Sequence, residues 1–425
     1  MNRVALSRAD DPLVSLIIPT HGAAETTATA LAGIAANTPP VFETLVVDDA
    51  SPDGAAEAIA ADIDGIELIR NEANLGFGRS VNRAAARALG RYVCIMNNDI
   101  RPEPGWLEPM LERITAPGVG AVVPMFLDAD GSVQEAGVAV GCDGFTWRWG
   151  AGLPVDAPEV TFPRTVDYGS AACMLVRADA FREAGGFRPE YGLGYLEDVD
   201  LCISLRMRGL RTAYEPRAHV AHTAQGTFGS EAAHRLSKEN RPKLMERWGD
   251  LLADRPPLRH AVLHPAYTVR ARDALATHRV LLAAGLPRWS EPVRELHDLL
   301  PDARLTILLV GDAAAADEED LRSEGVEVVP SSDPAHWLAQ RRGHADLVWL
   351  LDSEAMARLG SALFATQPQA TRFFVVPHGH FESAPHLCRD THVLPRDMTI
   401  PRLLAEGGIL AASPWPRARS NAGGD

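Results

Sequence analysis

The sequence predicts an α/β protein with two parallel sheets, one after the other along the chain. Short apolar runs alternate with Ala-rich stretches of helical spacing through the first 250 residues, and the alternation resumes near residue 279. The chain has 425 residues, which is long for a single hydrophobic core. We therefore expect a first domain at 13–250, a linker at 251–277, a smaller Rossmann-like α/β accessory domain at 278–412 and a disordered tail at 413–425.

Four apolar runs begin the first sheet, and their predicted strands are 14–19, 44–48, 66–70 and 92–97. The helix before the fourth run has an apolar stripe that can cover a sheet face, formed by Val81, Ala84, Ala85, Ala88 and Leu89. Right-handed crossovers would make these strands parallel. Residues 131–169 break the pattern with Gly, Pro and Trp, and we interpret them as an insertion or a strand-and-loop region beside the site.

A Pro- and Arg-rich cluster at 254–259 precedes the second alternation. The strands predicted there are 279–283, 305–311, 326–330, 347–351 and 373–377. These five runs predict a second parallel sheet, smaller than the first.

Composition excludes several classes of protein. The formal net charge of −15 argues against general binding to nucleic acid. No apolar run approaches the ~20 residues of a transmembrane helix, and the first 12 residues lack the apolar segment of a secretory signal. We therefore expect a cytoplasmic protein whose five scattered cysteines are reduced.

Polar residues follow the strands of the first sheet, where ligands of open parallel sheets bind. Thr20 follows the first strand, Asp48 ends the second, and Asn97 and Asp99 follow the fourth. Asp48 can accept from the ring N–H of uracil or guanine, although the loop after it also fits a helix cap. Asp99 can bind a divalent metal that neutralises a diphosphate, or it can belong to a turn before two prolines.

A glycine-flanked helix is predicted to begin near Glu197. Its polar stripe, which we expect to face solvent, contains Glu197, Asp200, Ser204 and Arg208. Asp198 instead shares a line with Leu201 and Leu205, which faces the core or a cleft. A raised pKa there would suit a general base, and the helix dipole also favours an acid at this end.

Two histidines, His219 and His222, follow a strand predicted at 211–215. A single histidine is more often structural than a ligand. Two histidines before a polar loop that can return toward Asp99 make His222 a candidate metal contact.

The chain from residue 14 to about residue 248 closely resembles glycosyltransferase family 2. The likeness lies in seven strings in the family's order, which are SLIIPTHG (15–22), VVDDASPDG (46–54), NEANLGFGRSVNRA (71–84), IMNNDI (95–100), GSAACMLVRADAFREAGGF (169–187), YLEDVDLCISLRMRG (195–209) and HVAHTAQGT (219–227). The resemblance implies a GT-A fold, that of nucleotide-diphospho-sugar transferases. It also implies a nucleotide-sugar donor, Mg²⁺ or Mn²⁺, and inversion of configuration.

The resemblance also implies roles for individual residues. Thr20 and Asp48 would hold the nucleotide base, Arg79 and Asn82 would line the donor site, Asn97 and Asp99 would take the DXD position, Asp198 would be the base, and His222 would contact the metal or the diphosphate. Because Asn97 replaces the first acid of DXD, metal binding depends more heavily on Asp99.

The EDVDLC helix together with NND is most similar to the rhamnosyltransferase-like subgroup. That likeness implies a UDP-, dTDP- or GDP-sugar donor and a saccharide or lipid-linked acceptor in polysaccharide, cell-envelope glycan or glycolipid synthesis. It leaves room for peripheral association with a membrane.

The second domain resembles, less closely, the N-terminal half of a GT-B glycosyltransferase, in DLVWLL (346–351) and VVPHGH (375–380). No complete partner lobe follows in this sequence, and the GT-B donor site lies mainly on that lobe. We therefore expect an acceptor-binding, docking or degenerate module.

Three other functions fit less well. A nucleotidyltransferase needs a Gly-rich basic loop after the first strand, where this chain has THGAA. A dinucleotide-binding dehydrogenase needs GxGxxG there, yet the GxG of this region follows the third strand and lacks the third glycine. A non-catalytic nucleotide-sugar scaffold or sensor is the main alternative, and the retention of Asp99 and Asp198 argues against it.

Overall fold

A computed structural model describes residues 3–6, 8–39, 41–222, 230–263, 265–287, 289–311, 313, 318–367, 372–375 and 391–393. The chain divides into two compact units. Unit 1 contains Met1–Val155 and Arg164–Arg259, and unit 2 contains Asp156–Pro163 and the described chain from His260 onward. Unit 2 is therefore discontinuous in sequence.

Strands and helices alternate along unit 1. Its described strands are β1 (Val4–Ala5), β2 (Val14–Thr20), β3 (Phe42–Asp48), β4 (Ile63–Asp64), β5 (Ile66–Arg70), β6 (Tyr92–Met96), β7 (Ile100–Pro102), β8 (Val119–Leu127), β9 (Val133–Glu135), β10 (Val138–Val140), β11 (Thr146–Arg148), β12 (Arg164–Val166), β13 (Cys173–Arg177) and β14 (Arg211–His222). Its described helices are α1 (Ala24–Asn37), α2 (Ala55–Asp62), α3 (Phe77–Ala85), α4 (Leu107–Ile114), α5 (Ala178–Ala184), α6 (Glu197–Arg206) and α7 (Ser230–Leu252).

One large sheet in unit 1 has the strand order β12-β14-β8-β13-β6-β2-β3-β5, with β7 on β14 and β9 on β8. Strands β6, β2, β3 and β5 are parallel, as predicted for the first four runs. Strand β13 is antiparallel to both β6 and β8, whereas β14 is parallel to β8. The ends of β2, β3, β6, β8 and β14 and the start of β13 therefore meet at one edge of the sheet.

The predicted apolar stripe of α3 is correct in its first part and wrong at its end. Val81, Ala84 and Ala85 are buried, but the helix ends at Ala85 and Leu89 is 68% exposed. The Leu89 N–H donates to Glu43 Oε1 at 2.7 Å. That bond holds the chain in a turn where the periodicity predicted a further helical turn.

Unit 2 is a smaller, fully parallel α/β structure, as predicted. Its described strands are β15 (Arg279–Ala284), β16 (Arg304–Leu309), β17 (Glu327–Pro330), β18 (Leu347–Leu350), β19 (Arg372–Val375) and β20 (Thr391–Val393), in the order β17-β16-β15-β18-β19-β20. Its described helices are α8 (Pro265–Arg272), α9 (Ser290–Leu299), α10 (Glu318–Glu324), α11 (Pro334–Gln340) and α12 (Ser353–Thr366). Helix α8 lies inside the region predicted as a linker, 251–277.

The short segment Asp156–Pro163 packs into a buried ionic network of unit 2. Phe162 is fully buried, with the guanidinium of Arg304 5.0 Å from its ring centroid. Glu159 lies 3.4 Å from a guanidinium nitrogen of Arg341. Both contacts join this segment to residues far along the chain.

Among the described residues, no helix is long and apolar enough to cross a membrane. The four cysteines in this part of the chain, Cys94, Cys142, Cys173 and Cys202, are free. The predicted disordered tail at 413–425 and Cys388 lie outside the described residues.

Candidate active site

The turn after β6 is tied to the end of β2 by side-chain hydrogen bonds. The Asn98 amide donates to the hydroxyls of Thr20 and Thr27, each at 3.1 Å, and the Thr20 hydroxyl donates to the Gly22 carbonyl at 2.8 Å. These bonds hold the chain so that the next residue, Asp99, is only 5% exposed at the sheet edge.

The two predicted metal ligands lie side by side. His222 is the last residue of β14 and pairs with Ile100 of β7. His222 Nε2 lies 3.4 Å from Asp99 Oδ1. Adjacent ligand atoms of one octahedral Mg²⁺ or Mn²⁺ ion stand about 3 Å apart, so this pair fits a shared cation.

No group of three His, Cys, Asp or Glu side chains within the described ranges is arranged to hold a metal. Asp99 and His222 would therefore supply only part of a coordination shell. That fits Mg²⁺ chemistry, in which one or two protein ligands act together with substrate phosphates and water.

Gln134 of β9 contacts the other side of the His222 ring. Its Oε1 lies 2.7 Å from His222 Nδ1, while its Nε2 donates to Asp128 Oδ1 at 2.7 Å and to the His222 carbonyl at 3.2 Å. Gln134 is 6% exposed. No pattern in the sequence singles this residue out.

Asp198 lies in the first turn of α6 and is partly exposed, whereas the rest of that helix is buried. Its Oδ2 accepts from the Ala171 N–H at 3.3 Å, just before β13, and its Oδ1 accepts from the Val199 N–H at 2.8 Å. Burial of the carboxyl raises the pKa of Asp198 to about 6, as expected for a general base that works near neutral pH.

The loop before α6 has a constrained backbone. Tyr195 and Leu196 both have positive φ, at 73° and 72°, a backbone conformation that residues other than glycine rarely adopt. The buried Asn240 of α7 donates to the carbonyls of Tyr191, Gly194 and Tyr195 at 2.8–2.9 Å. This clamp fixes the direction from which α6 starts, and with it the position of Asp198.

Glu135 is a second buried acid beside Asp198, and it was not predicted from the sequence. Its Oε1 accepts from the Ser170 N–H at 2.9 Å, the amide next to the one that Asp198 accepts. Burial is the main reason that the pKa of Glu135 is raised to about 7; the charge of Asp198 acts in the same direction, while the Ser170 N–H, Arg148 and His222 oppose the shift. The only signal in the sequence was a Gln-Glu pair inside a short apolar run.

Tyr195 lies among three carboxyl groups of the site. Burial raises the pKa of its hydroxyl first, and the charges of Glu197, Asp198 and Asp99 raise it further. Carboxyl groups from the turn after β6 and from the start of α6 therefore both act on this hydroxyl.

The predicted solvated stripe of α6 is wrong. Glu197, Asp200 and Ser204 are 6%, 1% and 2% exposed, and of the four predicted residues only Arg208 is exposed. Asp200 accepts from the Trp248 indole at 2.8 Å and from Arg247 at 2.9 Å, both on α7. Helix α7 thus covers the face that periodicity assigned to water.

Burial of Glu197 on this face disfavours the charged form of its carboxyl group. Desolvation, with a further contribution from the Asp198 charge, raises the pKa of Glu197 to about 8. Its Oε2 is buried and makes no hydrogen bond within the described residues. Burial therefore favours the protonated form of Glu197 near neutral pH.

The two residues predicted to hold the nucleotide base are both deeply buried. Thr20 is 3% exposed, and its hydroxyl is engaged in the bonds described above. Asp48 has no exposed surface; its Oδ1 accepts from the Ser51 N–H at 3.1 Å, and its Oδ2 lies 3.4 Å from Arg70 Nε. A base could reach Asp48 only if neighbouring groups moved, and both roles stay predictions.

The other three predicted donor-site residues differ in their exposure and in the hydrogen bonds that they already make. Arg79 is exposed and reaches the Pro189 carbonyl at 3.5 Å. Asn82 is engaged at both ends of its amide, which bonds the N–H and carbonyl of Phe187. Asn97 is partly exposed beside Asp99, and its backbone N–H donates to the Ala172 carbonyl at 2.8 Å. Their roles toward a donor also stay predictions.

Comparison with known proteins gives a consistent result. The profile of glycosyl transferase family 2 matches residues 15–185. The N-acetylglucosaminyl-diphospho-decaprenol L-rhamnosyltransferase of Mycobacterium tuberculosis is 30% identical over 278 residues, covering 58% of this chain and 86% of that protein. The O-antigen biosynthesis protein RfbC of Myxococcus xanthus is 29% identical over 231 residues, covering 52% of this chain and 18% of that protein.

Among solved structures, GalNAc-T7 with UDP, GalNAc and Mn²⁺ has a TM-score of 0.45 at 19% identity, covering 57% of this chain and 50% of that chain. The relationship rests instead on the family profile and on the rhamnosyltransferase, of which 86% is covered. The chain belongs to glycosyl transferase family 2, which confirms the predicted glycosyltransferase.

Proposed function

We propose that this protein transfers a sugar, with inversion, from a nucleotide diphosphate-sugar to a hydroxyl of a saccharide or lipid-linked acceptor. The proposal rests on the proximity of a proton acceptor and a metal-binding pair at one edge of the sheet. Asp198 can take a proton, and the Asp99–His222 pair can hold a divalent ion. A non-catalytic scaffold would need neither, so that alternative is not favoured.

In the proposed reaction, Asp198 accepts the proton of the acceptor hydroxyl as that oxygen attacks the anomeric carbon. A single in-line displacement inverts the configuration, and the nucleoside diphosphate leaves from the opposite face. The Ala171 N–H holds the Asp198 carboxyl in place. The pKa of about 6 leaves it mostly ionised at neutral pH and still basic enough to accept a proton in the transition state.

Asp99 and His222 would hold Mg²⁺ or Mn²⁺. A divalent ion there would neutralise charge that develops on the departing diphosphate. The residues fit such an ion because a buried carboxylate oxygen and a partly exposed imidazole nitrogen lie 3.4 Å apart. Asn97 is a neutral neighbour that can bond the donor without adding charge.

The donor would be a UDP-, dTDP- or GDP-sugar, with Arg79, Asn82, Thr20 and Asp48 around it as the family motifs suggest.

The acceptor would be linked to a lipid diphosphate, as in the substrate named for the M. tuberculosis relative. Arg148 is exposed near Glu135, where a cation could meet such a diphosphate. This chemistry fits a cytoplasmic protein that associates peripherally with a membrane. Unit 2 would bind the acceptor or dock a partner.

The experiment is a nucleotide-release assay with a panel of donors, run with added Mg²⁺ or Mn²⁺ and on metal-free protein in excess chelator. We expect chelation to abolish turnover and Mg²⁺ or Mn²⁺ to restore it. Asp99→Ala should weaken metal-dependent donor binding by about 10-fold or more. Asp62→Ala, at the exposed end of α2, is the control that should change neither.

Undiminished turnover of metal-free protein in excess chelator would contradict the metal part of the proposal. Asp99 would then be a donor-orienting or structural acid. Groups such as Arg79, His222 and backbone N–H donors would have to meet the leaving charge.

A further inference from the structure

The amide of Gln134 has only one chemically consistent orientation. Its Nε2 faces two groups that can only accept, Asp128 Oδ1 at 2.7 Å and the His222 carbonyl at 3.2 Å. A flipped amide would point an oxygen at both of these oxygens. The atom that faces His222 Nδ1 at 2.7 Å is therefore the amide oxygen, which can only accept.

It follows that His222 Nδ1 carries a hydrogen and donates it to Gln134. In the neutral ring, Nε2 is then the nitrogen with the free lone pair. That lone pair is directed toward Asp99 Oδ1 at 3.4 Å. Two acceptor atoms that face each other at this distance are compatible when a cation lies between them.

A β-bulge places the Gln134 side chain in this position. In the pairing of β8 with β9, Phe126 is opposite Glu135 and Leu127 is opposite Val133, so Gln134 is the extra residue. Bulges re-aim a side chain and occur beside active sites. The Phe126 ring also packs edge-on against His222, with centroids 6.0 Å apart, and limits rotation of the imidazole.

We propose that Gln134 is a positioning residue that holds His222 in the Nδ1–H tautomer and directs Nε2 to the metal. This inference rests on the proposed metal role of Asp99 and His222. Hydrogen bonds of this kind to the far nitrogen of a ligating histidine fix its tautomer, and their loss typically weakens metal binding by 10- to 100-fold.

The tautomer can be read directly in the wild-type protein. Full-length, metal-free protein with ¹⁵N-labelled imidazoles is observed by NMR above neutral pH, and the His222 signals are assigned by their loss in His222→Asn. We expect a protonated-type shift at Nδ1 and an unprotonated-type shift at Nε2. The reverse pattern overturns the inference, whether or not any Gln134 variant folds.

Metal affinity gives a second readout, with Mn²⁺ alone as the probe and free Mn²⁺ measured by EPR. Gln134→Met keeps the side-chain length but removes the acceptor, and it should weaken Mn²⁺ binding by about 10- to 100-fold. Gln340→Met is the matched control, because Gln340 contacts His336 on unit 2 in a similar Gln–His pair. That variant should bind Mn²⁺ like the wild type.

Two outcomes separate this inference from the proposed function. If Mn²⁺ affinity falls in His222→Ala but not in Gln134→Met, the inference is overturned and the metal site stands. If it falls in neither variant, the metal site is overturned and the inference with it.

Discussion

Asp198 is partly exposed as a residue, but its carboxyl group is partly shielded from water. Its neighbours on α6 are covered by other elements. Its pKa near 6 follows from burial, moderated by N–H donors from Ala171, two residues before β13, and from its own helix. The environment, rather than the residue type, makes this acid suitable as a base.

The first prediction concerns the base. Asp198→Asn should keep donor binding and lose turnover by a factor on the order of 10² or more, because the neutral amide cannot accept the proton. In the wild type, kcat/KM should fall as pH drops through about 6, where the carboxylate becomes protonated. Turnover and donor affinity across pH 5–8 measure both effects, with Asp62→Asn as the control. Near-wild-type turnover of Asp198→Asn would rule out this role.

A second prediction concerns Glu197. Its pKa in the folded protein is about 8, above that of an exposed glutamate, so the unfolded chain releases a proton that the native protein keeps. This difference in proton binding lowers the free energy of unfolding as pH rises from about 4.5 to 8. The stability of Glu197→Gln relative to wild type should therefore increase with pH, by up to about 1.4 kcal/mol per pH unit.

Urea unfolding at several pH values measures that slope. Glu108→Gln is the matched control, since Glu108 lies in the first turn of α4 and is exposed. A pH-independent difference between Glu197→Gln and wild type would mean that Glu197 is already ionised in the native protein.

At the scale of elements, the loop between the short helix at Pro189–Tyr191 and α6 depends on one side chain of α7. Asn240 supplies its amide hydrogens to three carbonyl oxygens at once, in a loop where Tyr195 and Leu196 carry left-handed backbone angles. Strained conformations persist only where surrounding contacts determine them.

Asn240→Ala should destabilise the protein by about 1–3 kcal/mol, because buried carbonyls lose their donor. Turnover should also fall, since Asp198 follows this loop directly. Urea unfolding and donor-saturated turnover test the two parts. Lys238→Ala, on the exposed side of α7, should behave like the wild type. Unchanged turnover in a destabilised Asn240→Ala would mean that the clamp serves the fold alone.

The elements also show where sequence reasoning succeeds. The proximity of Asp99 and His222 was predicted, because Asp99 follows an apolar strand and His222 was placed on a loop that could return toward it. In the structure β14 continues to His222 instead of ending at residue 215, and the metal role of the pair stays a prediction. Gln134 was not predictable, because a bulge in a three-residue strand leaves no periodic signal. Glu197 was misplaced because periodicity shows which residues share a helix face, whereas the packing of α7 decides whether water reaches it.

At the scale of the whole molecule, both sheets were predictable from the alternation of apolar runs. The antiparallel strand β13 between β6 and β8 was not, because a buried strand has the same apolar pattern in either direction. The membership of Asp156–Pro163 in unit 2 was not predictable either, since its contacts lie far away in sequence.

The last prediction tests that membership. Phe162→Ala should lower the stability of unit 2 by about 3–5 kcal/mol, because it removes a fully buried ring under Arg304. Amide hydrogen exchange in β15, β16 and β17 would report the loss, while strands of unit 1 serve as an internal reference. Leu286→Ala, at a site 45% exposed, is the control. Unchanged exchange in those three strands would contradict the assignment.

The discontinuity of unit 2 also bears on how the protein is made. Glu159 and Arg341 are 182 residues apart, so the first of them leaves the ribosome long before its partner is translated. Unit 2 therefore cannot complete its buried ionic network until nearly the whole described chain has emerged. A gene fragment that starts at residue 260 would encode the strands of this unit without the ring and carboxylate that cover its arginines.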